Sequence, residues 1–167
     1  RPGGDSNWTA LRFHSNGTLD TLFGTDGRTD IPFGSGGLVN CYDAAVDADG
    51  KILLAGRTGF GAGQPGLARL LPDGGIDSTF SEDGMFTVNL TGVGGTHYLT
   101  RVLILPDGRI LGAGFDFRSN SGDFFLARFY SSDPTGVDTA EASPTHLSVH
   151  AYPNPSSGGT TVRFQLS

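Results

Sequence analysis

The sequence is poor in residue types that build covalent frameworks or charged binding surfaces. Its 167 residues include one cysteine, Cys41, and one lysine, Lys51. A single cysteine excludes an internal disulfide framework and any metal site built from several cysteines, and we expect Cys41 to be a small buried hydrophobe. The formal net charge of −6 and the scattered arginines disfavour nucleic acid as a partner, because phosphate binding needs clustered Lys and Arg.

Long apolar and helical segments are also missing. No run approaches the roughly 20 apolar residues of a transmembrane helix. No segment of about ten or more residues shows helical periodicity free of Gly or Pro. The chain begins at Arg1 without Met or a leader, close to its first strand candidate, so we expect it to be a segment of a longer protein. Glycine is abundant, with 27 residues, about twice its usual ~7% share, which favours many turns.

Two blocks of residues recur along the chain. Residues 11–23 return at 68–80 and, in part, at 127–131, at intervals of 57 and 59 residues; residues 49–56 return at 107–114 after 58 residues. Periods of this size are typical of propellers, solenoids and arrays, in which each unit must stack on its neighbours to bury its apolar face.

Each period contains four strand candidates, bounded by Gly, Asp or Asn. They are residues 8–14, 28–33, 42–47 and 51–57, then 66–71, 85–90, 99–105 and 109–117, with one further strand at 123–130. Four strands in about 58 residues is the content of one propeller blade. We therefore predict an all-β fold, a partial β-propeller of about two four-stranded blades plus one strand.

Four turns separate strand candidates in this pattern. They are Asn16-Gly17, Asp49-Gly50, Asp73-Gly74 and Asp107-Gly108. Asn-Gly and Asp-Gly suit type I′ turns, in which both central residues need positive φ. We expect these residues to be structural.

The composition divides the chain into three parts. Residues 1–130 hold the repeats, as units 7–63 and 64–122 and a partial unit 123–130. Residues 131–144 are polar and contain two prolines, which predicts a linker. Residues 145–167 hold two more strand candidates, 147–152 and 161–166, around a turn, and the pattern stops there, so we expect the chain to continue.

No pattern predicts a catalytic residue. Of the histidines, His14 aligns with Leu71 and Tyr130, so we expect it to fill a packing position in a strand. His146 and His150 have no acidic or cysteine partner at metal-ligand spacing. Only His97, in a loop without a counterpart histidine, is a candidate binding residue. Ser15, Ser78 and Ser81 lack a histidine at consistent spacing, and the glycines of residues 92–95 lack the Lys-Ser/Thr of a phosphate-binding loop.

An acidic cluster offers a weak alternative. Asp43, Asp47 and Asp49 before Gly50 faintly resemble a calcium loop. The matched positions of the next copy are Arg101, Leu105 and Asp107, so only the turn aspartate persists. We therefore predict no metal and no cofactor, with calcium as the alternative.

A repeated arginine marks the first block. Arg12, Arg69 and Arg128 recur, and Asp20 and Asp77 follow the first two. We expect a structural ion pair or hydrogen bond, either between blades or across a bulge, since a simple two-residue hairpin would place Arg12 and Asp20 on opposite sides. Some aromatic residues could instead be exposed and stack on sugars, although we expect most to be core; the candidates are Trp8, Phe60, Phe115 and Phe117.

The repeat resembles the delta-sixty repeats of bacterial secreted proteins, which form β-propeller-like blades. The matching residues are Leu19-Asp20-Thr21-Leu22-Phe23-Gly24 and the block 49–56; the second copy has Ser81 where the family usually has Gly. The resemblance covers roughly residues 7–130.

The last residues resemble the opening of the C-terminal sorting domain recognised by type IX secretion systems. Tyr152-Pro153-Asn154-Pro155 after an alternating strand, then a small-residue turn and Thr-Val-x-Phe, carry this resemblance. It implies the first hairpin of a β-sandwich-like domain, the type IX machinery as a partner, and a Bacteroidota-type protein that is secreted or held at the outer cell surface.

Together these features favour a non-catalytic module for recognition or scaffolding with an unknown extracellular ligand. Two alternatives remain. The chain could be the non-catalytic C-terminal part of a secreted hydrolase whose catalytic domain lies upstream, or a propeller that binds glycan or calcium. Further repeats upstream of Arg1 would favour the scaffold, and a hydrolase signature would favour the enzyme.

Overall fold

The structure is a computed structural model that describes residues 5–35, 39–59, 63–87, 95–118 and 121–129. These residues form nine strands: β1 Asp5–Leu11, β2 Arg28–Ser35, β3 Asn40–Val46, β4 Ile52–Thr58, β5 Gln64–Leu70, β6 Met85–Thr87, β7 Thr96–Ile104, β8 Ile110–Arg118 and β9 Ser121–Phe129. In this part of the chain no helix is long and apolar enough to cross a membrane. The predicted all-β class is confirmed.

The strands form three antiparallel sheets. The first sheet is β1-β2, the middle sheet is β3-β4-β5-β6, and the third sheet is β7-β8-β9. One apolar core, with Trp8 and Leu70, lies between the first and middle sheets, and a second, with Leu67 and Leu99, lies between the middle and third sheets. Sheets stacked face to face in chain order are consecutive propeller blades, so the partial propeller is confirmed.

Strand β4 shows why the middle sheet is so apolar. Leu53 and Ala55 belong to the core shared with the third sheet, whereas Leu54, between them, belongs to the core shared with the first sheet. Successive side chains of a strand point to opposite faces. A strand covered on both faces therefore needs a continuous apolar run instead of an alternating one.

The sheets are offset from the sequence repeat by two strands. The middle sheet takes β3 and β4 from residues 7–63 and β5 and β6 from residues 64–122. Each sequence unit therefore contributes strands to two neighbouring sheets. The nine strands, predicted as two sets of four plus one, are distributed as two, four and three.

Several sequence expectations fall outside the described residues. These are the linker 131–144, the sorting-domain segment 145–167 and the end of the strand predicted at 85–90. Within the described residues, the first strand begins and ends three residues earlier than predicted, at Asp5–Leu11. It ends there because Arg12 enters the turn that leads to Asp20, where an isolated bridge joins Phe13 to Leu19.

Candidate functional site: the charged turns between the sheets

The four Asn-Gly and Asp-Gly turns share one geometry, and it is not the predicted one. In each turn the glycine N–H donates to the carbonyl three residues earlier: Gly17 to His14, Gly50 to Asp47, Gly74 to Leu71 and Gly108 to Leu105. Only the glycines have positive φ, between 79° and 91°. This is a type I turn followed by a glycine bulge. The expectation of type I′ turns was therefore wrong.

The local chemistry explains this geometry. Pro72 and Pro106 occupy the second position of two of the turns, where a fixed negative φ favours type I. The side-chain oxygens of Asn16, Asp73 and Asp107 accept the N–H two residues later. In these three turns the Asn or Asp side chain thus stabilises the turn, and in the fourth Asp47 Oδ1 accepts the N–H groups of Asp49 and Lys51. In all four turns glycine alone supplies the positive φ.

Each of two turns carries an arginine–aspartate pair across the bulge, one of the two arrangements expected from the sequence. Arg12 Nε donates to Asp20 Oδ2 at 2.7 Å, and Arg69 Nε donates to Asp77 Oδ2 at 2.7 Å. In both pairs the N–H of the aspartate also donates to the arginine carbonyl at 2.9 Å. The predicted structural role of the arginines is confirmed for these two copies.

An aromatic ring completes the pair in both copies. The Arg12 guanidinium lies 4.8 Å from the ring centre of Phe23, and that of Arg69 lies 4.9 Å from the ring centre of Phe80. Both phenylalanines are buried, so the arginines cover core aromatics and make cation–π contacts. The sequence analysis missed this role, although each Phe follows its Arg at the same spacing.

Asp77 is the most strongly held carboxylate of the site. It is almost fully buried and accepts hydrogen bonds from Arg69 and from Thr79, while Lys51 Nζ lies 3.2 Å from Oδ2. Burial by itself raises the pKa of Asp77, but the hydrogen bonds of Thr79 and Lys51 and the charge of Arg69 outweigh it and lower the pKa to about 2. Asp77 is therefore ionised over the physiological range.

The turn after β5 docks on the first sheet through three consecutive carbonyls. Arg12 Nη1 donates to the Pro72 carbonyl, Gly24 N–H donates to the Asp73 carbonyl at 2.7 Å, and Thr29 Oγ1 donates to the Gly74 carbonyl at 2.7 Å. We call these three hydrogen bonds the latch. Arg12 thus holds Asp20 within its own repeat and Pro72 in the next, so it joins two sheets. The hydrogen bond between blades that the sequence predicts for the repeated arginines is therefore present at Arg12, although its carbonyl acceptor was not predicted.

The acidic residues considered for calcium act as hydrogen-bond acceptors for backbone groups. Asp43 Oδ2 accepts the Val102 N–H of the third sheet at 2.8 Å, and Asp47 Oδ1 accepts the N–H groups of Asp49 and Lys51. The described residues contain no group of three or more potential metal-ligating side chains. The absence of a metal stays a prediction.

The histidines take different places. His14 is exposed, with its Nε2 3.8 Å from Asp20 Oδ1, because it lies in the turn beyond the end of β1; the expectation that it fills a packing position was wrong. His97 is fully buried, and its Nδ1 lies 2.9 Å from Oδ1 of Asp116 on the neighbouring strand β8. His97 lies on strand β7, so the expectation of a loop was wrong, and its full burial makes it a poor candidate for binding a ligand. His146 and His150 lie outside the described residues.

Two of the aromatic residues considered for sugar stacking are exposed, and both lie on strand β8 of the third sheet. Phe115 and Phe117 are exposed and stacked, with ring centres 6.0 Å apart, and Tyr98 lies 6.0 Å from each. Trp8 is core, with Nε1 donating to the Arg57 carbonyl, and Phe60 lies outside the described residues. Of the three candidates for sugar stacking that lie within the described residues, Phe115 and Phe117 are exposed and Trp8 is not.

Cys41 is exposed, contrary to expectation. It lies on β3, at the edge of the middle sheet, where the register of the pairing with β4 shifts between Cys41 and Asp43. An edge strand with a bulge turns this side chain away from the core. The candidate sorting residues Tyr152, Pro153, Asn154 and Pro155 lie outside the described residues, so their role stays a prediction.

Comparison with known families agrees with this architecture. Residues 48–80 and 105–132 match the family described as a domain of unknown function (DUF5122) beta-propeller. Each matched segment begins at an Asp-Gly turn and covers the hairpin that follows, β4-β5 in one case and β8-β9 in the other. The protein is a propeller-like repeat protein. No curated protein matches the chain significantly.

Proposed function

We propose that this propeller-like chain is a non-catalytic module for recognition or scaffolding, carried by a secreted or surface-attached protein. The main support is the way in which the charged residues are used. In two copies of the repeat an Arg–Asp pair stabilises a turn, and the same arginine covers the ring of a buried Phe. The latch joins the first sheet to the middle sheet. These charged residues therefore stabilise the turns and the contact between sheets, which is a structural role and not a catalytic one.

The enzyme alternative concerns the rest of the parent protein. A catalytic domain upstream of Arg1 would make this chain the accessory part of a hydrolase. Determining the coding sequence upstream separates the two ideas: further copies of the repeat support a scaffold, and a hydrolase signature supports the accessory role.

We further propose that a type IX secretion system exports the protein. This rests on the resemblance of residues 145–167 to the opening of a sorting domain and on the polar, proline-containing segment 131–144 before it. Exposed polar linkers are accessible to processing proteases, so a sorting domain behind such a segment is separable from the blades.

A reporter fusion tests the export route. The linker 131–144 and the complete sorting domain of the parent gene are fused to a periplasmic reporter in a host with type IX machinery. We expect delivery to the cell surface, and we expect a fusion truncated before Leu147 to stay in the periplasm. Equal surface delivery of both fusions would refute the export proposal and leave the blade architecture untouched.

A further inference from the structure

The middle sheet repeats the part of the first sheet that holds the latch. The three latch donors of the first sheet are Arg12 Nη1, the Gly24 N–H and Thr29 Oγ1. Their counterparts 57 residues later, in and beside the middle sheet, are Arg69, Ser81 and Phe86. The guanidinium and the backbone N–H are thus kept, and the threonine hydroxyl is lost.

The two donors that are kept have the same local geometry in both copies. The Arg–Asp hydrogen bond is 2.7 Å long in each, and the guanidinium lies 4.8 Å and 4.9 Å from the ring centre of the Phe that follows. Ser81 has φ of 49°, close to the 59° of Gly24, although a Cβ disfavours this conformation. The middle sheet therefore presents both donors in the arrangement that the first sheet uses for the latch.

These two donors have no acceptor within the described part of the chain. Arg69 donates from Nε to Asp77 and from Nη2 to Thr79, and its side chain is only 8% exposed, but its Nη1 makes no hydrogen bond there. The Ser81 N–H makes none there either. A donor at the boundary between two sheets costs free energy unless water or a carbonyl reaches it.

Strand β9 brings the chain to an equivalent place in the third sheet. It pairs with β8 in the register in which β5 pairs with β4. The latch acceptors Pro72 and Asp73 follow the end of β5 by two and three residues, and Ser131 and Ser132 follow the end of β9 by two and three residues. Both serines lie within the second segment that matches the propeller family, residues 105–132.

An aromatic contact joins the end of β9 to the middle sheet. The ring centre of Phe86 lies 6.1 Å from that of Phe129, in an edge-to-face arrangement. Phe86 stands where the first latch has its threonine, and Phe129 is the last residue of β9. The chain therefore leaves β9 beside the sheet that carries the two donors.

We propose that residues 131–132 form a second latch, in which the Ser131 carbonyl accepts Arg69 Nη1 and the Ser132 carbonyl accepts the Ser81 N–H. Every residue has a main-chain carbonyl, so the change from Pro-Asp to Ser-Ser removes neither acceptor. The part of the polar segment that is open to a processing protease then begins after Ser132. This inference goes beyond the proposed function and holds whatever the export route.

Amide hydrogen exchange of the full chain tests the second latch. NMR gives the exchange rate of the Ser81 amide, which is compared with the rate of the same amide in an unstructured peptide. The Gly24 amide, which donates to Asp73 at 2.7 Å, is the positive control. We expect both amides to exchange at least about tenfold more slowly than the peptide rate, because both are hydrogen-bonded.

A variant that restores the repeat gives a second measurement. It combines Ser131→Pro, Ser132→Asp, Asp133→Gly and Pro134→Gly, which copies residues 72–75. The matched control places the same four residues at 138–141, further along the polar segment. We expect the restored turn to raise the melting temperature by about 2–6 °C and to slow exchange at Ser81 further, because its backbone is preset for docking. The control should change neither quantity.

Three results would overturn the proposal. The first is a Ser81 amide that exchanges at the peptide rate while the Gly24 amide is protected. The second is a restored turn that leaves the melting temperature where the control leaves it. The third is a restored turn that raises the melting temperature without slowing exchange at Ser81, since the new turn would then stabilise the third sheet without docking on the middle one.

Discussion

Arg69 and Asp77 form the buried counterpart of an ion pair that Arg12 and Asp20 form near the surface. The Nε–Oδ2 distance is 2.7 Å in both, but the Arg69 side chain is 8% exposed and the Arg12 side chain 39% exposed. The same type of Arg–Asp ion pair thus occurs twice in the chain, once buried and once partly exposed to solvent. The two pairs differ in burial and also in their neighbours, because Thr79 and Lys51 contact Asp77 as well.

The first prediction follows from this difference. Asp77→Asn should lower the free energy of unfolding by about 3 kcal/mol, because it leaves the Arg69 and Lys51 charges without their shared carboxylate in a buried position. Asp20→Asn should cause a much smaller loss, since water solvates Arg12. Urea unfolding of the two variants measures both effects, and equal losses would contradict the role of burial.

The second prediction concerns acid. The pKa of Asp77 is lowered from 3.8 to about 2, so its ionisation stabilises the fold fully above the unfolded value and this contribution disappears as the pH falls to about 2. The contribution is at most about 2 kcal/mol. Unfolding free energies measured between pH 5 and 2 should therefore fall more steeply for the unaltered chain than for Asp77→Asn. Parallel curves would show that Asp77 titrates normally.

The third prediction separates turn conformation from docking. Gly17 and Gly74 have φ of 83° and 91° in equivalent turns, but a Cβ at Gly17 meets nothing within 4 Å, whereas one at Gly74 would lie 2.7 Å from Gly24 N and 2.9 Å from the Phe23 ring. Gly17→Ala should cost about 1 kcal/mol from the backbone alone, and Gly74→Ala about 3 kcal/mol because it also opens the latch. Thermal unfolding distinguishes the two. Similar losses would mean that the latch contributes little.

Much of the fold could be predicted because strand pattern and turn residues agree. Four candidates per period and glycine after Asn or Asp placed most strands correctly. The type of turn was missed, since Asp-Gly suits both type I′ and a type I turn with a glycine bulge, and the proline before Asp73 is the residue that favours the second.

The site was harder to predict because its acceptors are main-chain carbonyls. Arg12 and Asp20 stand out in the sequence as a repeated pair. The hydrogen bond from Arg12 to the Pro72 carbonyl joins residues 60 positions apart, and the identity of the Pro72 side chain gives no indication of it. The offset between the sheets and the sequence repeat could not be predicted for a similar reason. Which strands pair is decided by the three-dimensional packing, and the sequence repeat alone does not show where one sheet ends and the next begins. The exposure of Cys41 depends on a bulge that has no sequence pattern of its own.

The fourth prediction concerns calcium. Because Asp43 and Asp47 accept backbone N–H groups, we expect millimolar calcium to leave the melting temperature unchanged. Asp49→Asn should cost little, whereas Asp47→Ala should destabilise the turn by about 1 kcal/mol through the loss of its two acceptor contacts. A calcium-dependent rise in melting temperature that Asp47→Ala abolishes would establish the calcium loop instead.

The last prediction uses the departure from the repeat at Ser81. Ser81 has φ of 49°, close to the 59° of its counterpart Gly24, so a residue with a Cβ occupies a left-handed position that suits glycine. Ser81→Gly should raise the free energy of unfolding by about 0.5–1 kcal/mol, because relief of this strain exceeds the added entropy of the unfolded chain. Ser78→Gly is the matched control, an exposed serine outside the left-handed region, and it should be neutral or slightly destabilising.

The reverse change, Gly24→Ser, should be costly, since its Cβ would lie 2.3 Å from the Arg28 carbonyl oxygen. Urea unfolding of the three variants gives the ranking, and a loss of stability in Ser81→Gly as large as in Ser78→Gly would show that no strain is stored at Ser81.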